Sequence, residues 1–167
     1  SAAMDPDNAY ALKVIASADG GPFTSGNYAE SDAITVIAQT TYVYDCIYNT
    51  NGATGTNHVG VQIYDDSNSG TISESVVQAA PFTSEWKHIN DTGSDVTTLS
   101  PNSIVFTTPF GCTSIKIRVG VDNPSGGTDY AYFTGFNLRK QMLEFSYLDE
   151  YGIGGLYAGF GHPNTWG

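Results

Sequence analysis

The sequence predicts an all-β protein, an antiparallel β-sandwich of the jelly-roll kind. Short segments in which apolar and polar residues alternate follow one another along most of the chain, which is the pattern of strands with one face on a core. Clusters of glycine, proline, asparagine and aspartate separate these segments and indicate turns. No part of residues 10–140 repeats its apolar residues with a helical period. About eight to ten short strands joined by such turns are typical of a two-layered sandwich.

Five strands are predicted in the first half of the chain, over residues 10–16, 33–38, 41–49, 59–64 and 71–79. The third has the clearest alternation of these five, because one of its faces carries Tyr42, Tyr44, Cys46 and Tyr48. In the fourth, the residues expected to face the core are Val59, Val61 and Ile63. Gln62 and Tyr64 are therefore expected on the outward face of that strand.

Four more strands are predicted in the second half, over residues 86–90, 103–107, 115–121 and 130–138. The strongest period-two signal in the chain places on one face Ile115, Ile117, Val119 and Val121. Lys116 and Arg118 should then point away from the core. In the last strand one parity carries Tyr132, Phe136 and Leu138, which leaves Phe133 and Asn137 on the other.

The length of 167 residues suits a single domain with a core of its own. We expect residues 1–9 to be a tag or linker remnant and residues 10–140 to form the sandwich domain. Residues 141–167 place aromatic residues among many glycines, so we interpret them as an extension across the sandwich or the start of a following segment. No apolar run approaches the length of about 20 residues that crosses a bilayer, so membrane insertion is not expected.

The charge of the chain excludes some classes of partner. Six basic residues oppose seventeen acidic ones, which gives a formal charge of −11. Such a chain repels phosphate backbones and anionic lipid headgroups, so neither nucleic acid nor an acidic membrane is an expected partner. Serine, threonine, asparagine, glycine and tyrosine are plentiful and lysine is scarce. This composition favours a secreted or cell-surface location.

Two cysteines, Cys46 and Cys112, are enough for one disulfide in an oxidising compartment. Cys46 shares its predicted strand face with three tyrosines, so a small buried thiol in the core is an equally good interpretation. The sequence leaves both interpretations open.

Several short motifs between residues 10 and 140 occur in the same order in a known group of proteins. They are Ile34-Thr35-Val36, Thr41-Tyr42-Val43-Tyr44, Val61-Gln62-Ile63-Tyr64-Asp65, Trp86, Phe106-Thr107-Thr108-Pro109, the strand from Ile115 to Val119 and the strand from Tyr132 to Leu138. On these residues the chain resembles the β-jelly-roll carbohydrate-binding modules of families four, nine, sixteen and twenty-two, which are appended to secreted polysaccharide-degrading enzymes. The resemblance implies a non-catalytic domain of a larger protein that binds polysaccharides or oligosaccharides.

The resemblance also bears on a metal ion. Such modules often carry a structural calcium, held partly by a Phe-Asp-Asp step in the last strand, whereas here Phe133 is followed by Thr134 and Gly135. A calcium site would therefore need oxygen ligands from loops, for which the candidates are Asp7, Asp32 and Asp129. Calcium is the one cofactor that the sequence suggests.

Sugars bind where aromatic rings stack on pyranose faces while amides and charged groups bind the hydroxyls. The candidate ligand-binding residues are Tyr64 with Gln62, Lys116 with Arg118, Phe133 with Asn137, and Trp86. Each has a structural alternative, since an outward tyrosine also packs on loops and a pair of strand-face charges also serves solubility. For Trp86 the sequence favours a framework role, because the resembled modules commonly use this tryptophan in their core.

Catalysis has little support in the sequence. The three histidines lie far apart, and no nucleophile elbow, zinc pair or phosphate-binding glycine loop is present. Our first hypothesis is therefore a non-catalytic domain that anchors a secreted enzyme or surface protein to a glycan. The alternative is a structural or adhesion domain of a phage tail fibre, capsid or cell-surface assembly, and a small polysaccharide lyase or hydrolase is a lesser third hypothesis.

Overall fold

A computed structural model of the chain describes residues 10–50, 58–78, 86–89, 103–122 and 130–141. These ranges contain strands and no helix, and every strand pair is antiparallel. In chain order the strands are β1 (Leu12–Ile15), β2 (Tyr28–Glu30), β3 (Ile34–Thr35), β4 (Thr41–Asn49), β5 (His58–Asp65), β6 (Gly70–Gln78), β7 (Lys87–His88), β8 (Ile104–Thr107), β9 (Ser114–Val121) and β10 (Tyr130–Lys140). The predicted all-β class is confirmed. Within the same ranges, nothing helical is long and apolar enough to span a membrane.

The strands form two five-stranded sheets. In sheet I the order is β1-β10-β4-β7. Strand β8 pairs with the first half of β4, at residues 41–44, whereas β7 pairs near its end, at Ile47 and Tyr48. In sheet II the order is β2-β9-β5-β6, and β3 also pairs with β9. The chain changes sheets between β4 and β5, and β9 and β10 likewise lie in different sheets. This repeated crossing is the connectivity of a jelly-roll sandwich.

The core lies between the sheets, on the strand faces that the alternation predicted. On β4 the three tyrosines and Cys46 are buried. On β5 no surface is exposed on Val59, Val61 or Ile63. The largest fully buried side chains include Tyr44, Ile63, Ile89, Ile115 and Phe133. Residues of β5 and β9 with the opposite parity, among them Gln62 and Arg118, consequently lie on the outer face of sheet II.

The two cysteines are both buried, and both are free thiols. Burial raises the pKa of Cys46 to about 12, and it raises the pKa of Cys112 to about 11 with the help of a hydrogen bond to Asp65. Because the thiolate is the reactive form, burial and a raised pKa both disfavour reaction at these two cysteines.

In the last strand, β10, the residues that face the core do not keep one alternation along the whole strand. Its pairing with β4 shifts register between Thr134 and Asn137, where Gly135 takes a φ of +65°. Before this bulge Phe133 pairs with Tyr48 on the core side and has 0% exposed surface. The prediction that Phe133 faces outward with Asn137 is therefore wrong, because a one-residue bulge exchanges the two faces of a strand.

Two further differences concern the edges of the sheets. The short strand β2 was not predicted from the sequence, because three residues carry too little alternation to be recognised. Trp86 precedes the two-residue strand β7 and is only 7% exposed, so it belongs to the framework and is removed from the ligand-binding candidates. Residues 1–9 and 142–167, for which we expected a tag and an extension, lie outside the described residues.

A loop between β1 and β2 covers part of the outer face of sheet II. The fully buried Asn27 organises this loop, since its side-chain oxygen accepts from the backbone N–H groups of Ser17 and Ala18. Its amide nitrogen donates to the carbonyl oxygens of Ala18 and Gly21 at 2.8 and 3.1 Å. The loop passes directly over Gly120, where a Cβ atom would overlap the carbonyl oxygen of Pro22. Only glycine allows this close approach.

Candidate functional site

Four polar side chains form a row across the outer face of sheet II, and each comes from one of four adjacent strands. They are Glu30 on β2, Arg118 on β9, Gln62 on β5 and Glu74 on β6, and strand register places each opposite the next. Arg118 Nε donates to Glu30 at 2.6 Å, and its Nη1 donates to the Gln62 oxygen at 3.0 Å. The Gln62 amide in turn donates to Glu74 at 2.8 Å. We call these four residues the polar row.

Two aromatic rings flank the guanidinium of the polar row. The Arg118 Cζ atom lies 3.8 Å from the ring centroid of Tyr64 and 5.0 Å from that of Tyr28. Both tyrosines are half-buried. A guanidinium over an aromatic face is attracted by the ring quadrupole and also packs against it. Arg118 thus links the aromatic and the polar groups of the face.

Lys116 extends the charged network toward the turn that follows β5. Its Nζ atom lies 3.1 Å from Glu30 and 3.1 Å from Asp66. Together with the polar row, the face therefore holds three carboxylates and two basic groups. The face is nearly balanced in charge, with a small excess of acid.

The side chains of this face shield one another from solvent. Gln62 is only 6% exposed, and the Arg118 side chain is 17% exposed, although both point away from the core. Because their polar atoms bond to neighbours in the row, these side chains have little rotational freedom. A ligand therefore meets groups that are already held in place.

The charged network also shifts the pKa values of its own side chains. Burial opposes ionisation of Glu30, but hydrogen bonds and Coulomb attraction from Arg118 and Lys116 outweigh it and lower the pKa of Glu30. Hydrogen bonds to Glu30 and Asp66 raise the pKa of Lys116. At the turn, burial of Asp65 is outweighed by hydrogen bonds from Asn68, Cys112 and the Ser67 backbone, so the pKa of Asp65 is also lowered.

These shifts predict a loss of stability in acid. A carboxyl with a lowered folded-state pKa stabilises the protein fully above its ordinary value, 4.5 for Glu30, and this contribution disappears as the pH falls through the folded-state pKa. The free energy of unfolding, measured by urea denaturation from neutral pH downward, should therefore begin to fall near pH 4.5. Glu30→Gln should weaken this acid dependence, and an unchanged profile in that variant would contradict the assignment.

The two ends of the face are closed differently. At one end the ring of Phe23 lies over Gly60, where a Cβ atom would come within 2.6 Å of it. At the other end the buried Asp65 accepts from the backbone N–H groups of Ser67 and Asn68 and so shapes the turn after β5. The polar row and Tyr64 lie between these two boundaries.

The outer face of sheet I also carries aromatic rings. Tyr130 and Tyr132 stand edge to face with centroids 5.6 Å apart, and the Lys13 ammonium lies 4.0 Å from the Tyr130 ring centroid. The ion pair of Asp45 with Arg139 lies at the far end of β10, beyond the bulge. On sheet I the rings and this charged pair are therefore apart, whereas on sheet II they meet around one guanidinium.

Four of the seven candidate residues come together in the structure. Tyr64, Gln62, Lys116 and Arg118 share the outer face of sheet II, whereas Asn137 is exposed on β10 of sheet I. Phe133 and Trp86 are buried, as described above. Sequence reasoning missed four contributors to the face, namely Tyr28, Glu30, Glu74 and Asp66. Tyr28 and Glu30 belong to the unpredicted β2, and Glu74 lies in a strand whose polar residues do not alternate cleanly.

Only one of the three candidate calcium ligands, Asp32, lies within the described residues. No group of three or more histidine, cysteine, aspartate or glutamate residues suited to a metal ion occurs within them. Asp32 is exposed, and the other two candidates, Asp7 and Asp129, lie outside the described residues. The calcium site therefore stays a prediction.

Comparison with known proteins supports the fold. No family model matches the chain, and no curated protein matches its sequence. A solved CBM4, a carbohydrate-binding module of family four, is similar with a TM-score of 0.51 and 16% identity over 74% of this chain and 67% of its own. The chain has the fold of a CBM4. The resemblance predicted from the short motifs is confirmed at the level of the jelly-roll fold.

Two viral structures are more distant. One is infectious bursal disease virus Gt strain, with a TM-score of 0.40 and 16% identity over 83% of this chain and 35% of the viral chain. The other is the VP2 subviral particle of infectious bursal disease virus, with a TM-score of 0.32 and 15% identity over 77% and 32% of the two chains. At these TM-scores the likeness is only general.

Proposed function

We propose that this chain is a non-catalytic carbohydrate-binding domain that holds a neutral polysaccharide on the outer face of sheet II. The observation that carries the proposal is the arrangement of Tyr28 and Tyr64 around Arg118, in contact with the polar row. Aromatic planes and fixed hydrogen-bonding groups on one surface are the two components that sugar recognition requires.

Each component has a separate role in the proposed complex. The Tyr64 ring offers an apolar plane to a pyranose, and Arg118 holds that ring in place from one side. The sugar hydroxyls exchange hydrogen bonds with the exposed Glu74 carboxylate and with the partly exposed guanidinium of Arg118, while the buried Gln62 holds these two groups in place. Because the row is ordered before binding, little conformational entropy is lost there.

The electrostatics favour a neutral ligand. Three carboxylates and two basic groups lie on the face, and the whole chain carries −11. A polyuronate would bring further negative charge close to Glu30, Glu74 and Asp66, which costs Coulomb energy. The CBM4-like fold and the acidic composition are also in keeping with a secreted or surface location, which we propose for the protein that contains this domain.

Affinity electrophoresis and calorimetry against a glycan panel test this proposal. We expect binding to neutral glycans such as xylan, β-glucan or mannan with a Kd on the order of micromolar to millimolar, because an open face buries little ligand. Pectin and alginate should bind more weakly, and the difference should shrink as salt is added. Absence of binding across the whole panel would contradict a carbohydrate-binding function and would favour a structural or adhesion domain.

A further inference from the structure

A cavity opens between the two sheets, on the inner side of sheet II, and Glu30 of the polar row borders it. Its volume is about 370 Å³. Its wall is formed by the core face of β9, the edge strands β2 and β3, and residues of β1, β4 and β10. The bulge in β10 lies beside it, since Phe136 and Leu138 are both lining residues. The volume falls in the range of small-molecule sites, roughly 300–1,000 Å³.

The lining of the cavity is mostly apolar. Ala29, Ile34, Ile117 and Val119 form its inner surface, and all four belong to or pack against the hydrophobic core. At the entrance two large apolar side chains are exposed to solvent, namely Leu12 at 42% and Phe136 at 50%. For comparison, an apolar cavity of about 150 Å³ holds one benzene ring. The cavity here therefore has room for two fused rings or a short alkyl chain.

One polar group in the wall has no partner in the described part of the chain. Tyr44 is 1% exposed, and its hydroxyl makes no hydrogen bond to any described residue. The Cys46 thiol interacts weakly with this phenol and, after burial, helps to raise its pKa, but the pair does not reach the geometry of a full hydrogen bond. A buried tyrosine hydroxyl normally has a partner, and leaving it without one costs about 1–3 kcal/mol. Burial raises the pKa of Tyr44, so the group stays protonated and can donate.

We propose that this cavity is a second binding site, for a small neutral aromatic alcohol whose oxygen accepts a hydrogen bond from the Tyr44 hydroxyl. The apolar lining binds the rings, and the single unpartnered hydroxyl sets the orientation of the ligand. A carboxylate ligand is disfavoured, because Glu30 lines the rim of the cavity and the chain carries a charge of −11. This site lies on the opposite side of sheet II from the proposed glycan face, although Glu30 borders both, and the proposal does not rest on glycan binding.

The test uses the full chain and three probes that share one naphthalene ring system: 2-naphthol, naphthalene and 2-naphthoate. From its count of non-hydrogen atoms, 2-naphthol should bind with a Kd on the order of 10–100 μM in a fluorescence titration. Naphthalene, which lacks the oxygen, should bind about tenfold more weakly, which corresponds to one hydrogen bond. Naphthoate should be the weakest of the three.

Three variants locate the site. Tyr44→Phe should weaken 2-naphthol binding about tenfold and leave naphthalene binding unchanged, since it removes only the hydroxyl. Ala29→Leu should weaken binding of both probes by narrowing the cavity, without lowering the melting temperature. Tyr42→Phe is the matched control: it removes a hydroxyl on the same face of β4, one that accepts from the Ile37 N–H at 3.0 Å and does not line the cavity.

Each outcome of these experiments either supports or overturns the proposed cavity site. Binding of 2-naphthol that is weakened by Tyr44→Phe and unchanged by Tyr42→Phe supports the site. No binding of 2-naphthol to the native chain at millimolar concentration, or full binding in folded Ala29→Leu, would overturn it. Glycan binding, measured in parallel, should be unaffected by Ala29→Leu, so failure of one proposal is distinguishable from failure of the other.

Discussion

Replacing Phe133 with alanine should lower the free energy of unfolding by about 3–5 kcal/mol, the usual cost of deleting a fully buried aromatic ring. Phe133 has no exposed surface, and its neighbours across the sheet are Leu12 of β1 and Tyr48 of β4. Removing the ring leaves a cavity that two paired strands cannot easily close. Urea denaturation measures the change, followed by tryptophan fluorescence, to which the buried Trp86 contributes.

Phe110→Ala is the control for this substitution. The same ring is removed, but Phe110 is 85% exposed between β8 and β9, so the free energy of unfolding should change by less than about 0.5 kcal/mol. A cost below about 1 kcal/mol for Phe133→Ala would show that the ring is not in a packed core. Such a result would return Phe133 to the outward face that the sequence pattern suggested.

The contrast between β9 and β10 explains which parts of the fold the sequence could predict. In β9 the alternation is unbroken from Ser114 to Val121, so each residue's parity alone assigns its face correctly. In β10 the register shifts beside Gly135, and parity assigned from one end fails at the other. The glycine itself was the available signal, because an isolated glycine within a strand pattern often marks a bulge. Its effect on the register, however, depends on the pairing with β4.

The candidate site, too, could be predicted from the sequence only in part. Parity could place Gln62 and Tyr64 outward on one strand and Lys116 and Arg118 outward on another. It could not show that the two pairs meet, because β5 and β9 are brought together by pairing across 56 residues of sequence, as the Arg118–Gln62 hydrogen bond illustrates. Glu30 was missed for the same reason. Its strand is recognisable only from its pairing with β9.

Replacing Tyr64 with alanine should weaken binding to the best glycan of the panel by about tenfold or more, because an aromatic anchor is commonly worth at least about 1.4 kcal/mol. The stacking plane is lost, and Arg118 loses the ring that lies 3.8 Å from its guanidinium carbon. The effect on stability should be small, within about 1 kcal/mol, since Tyr64 is half-buried on the outer face and its main contact there is a cation–π pair. Calorimetry on the variant, with its melting temperature measured in parallel, checks both expectations.

Tyr132→Ala, on sheet I, is the matched control for Tyr64→Ala. Tyr132 is also a half-buried tyrosine on an outer sheet face, and a cation, the Lys13 ammonium, lies 5.8 Å from its ring centroid. The substitution removes the same atoms from a similar environment, but away from the polar row. If the glycan lies on sheet II, affinity should fall in Tyr64→Ala and stay unchanged in Tyr132→Ala. The reverse result would move the binding face to sheet I, where aromatic rings are present without the hydrogen-bonded row that crosses sheet II.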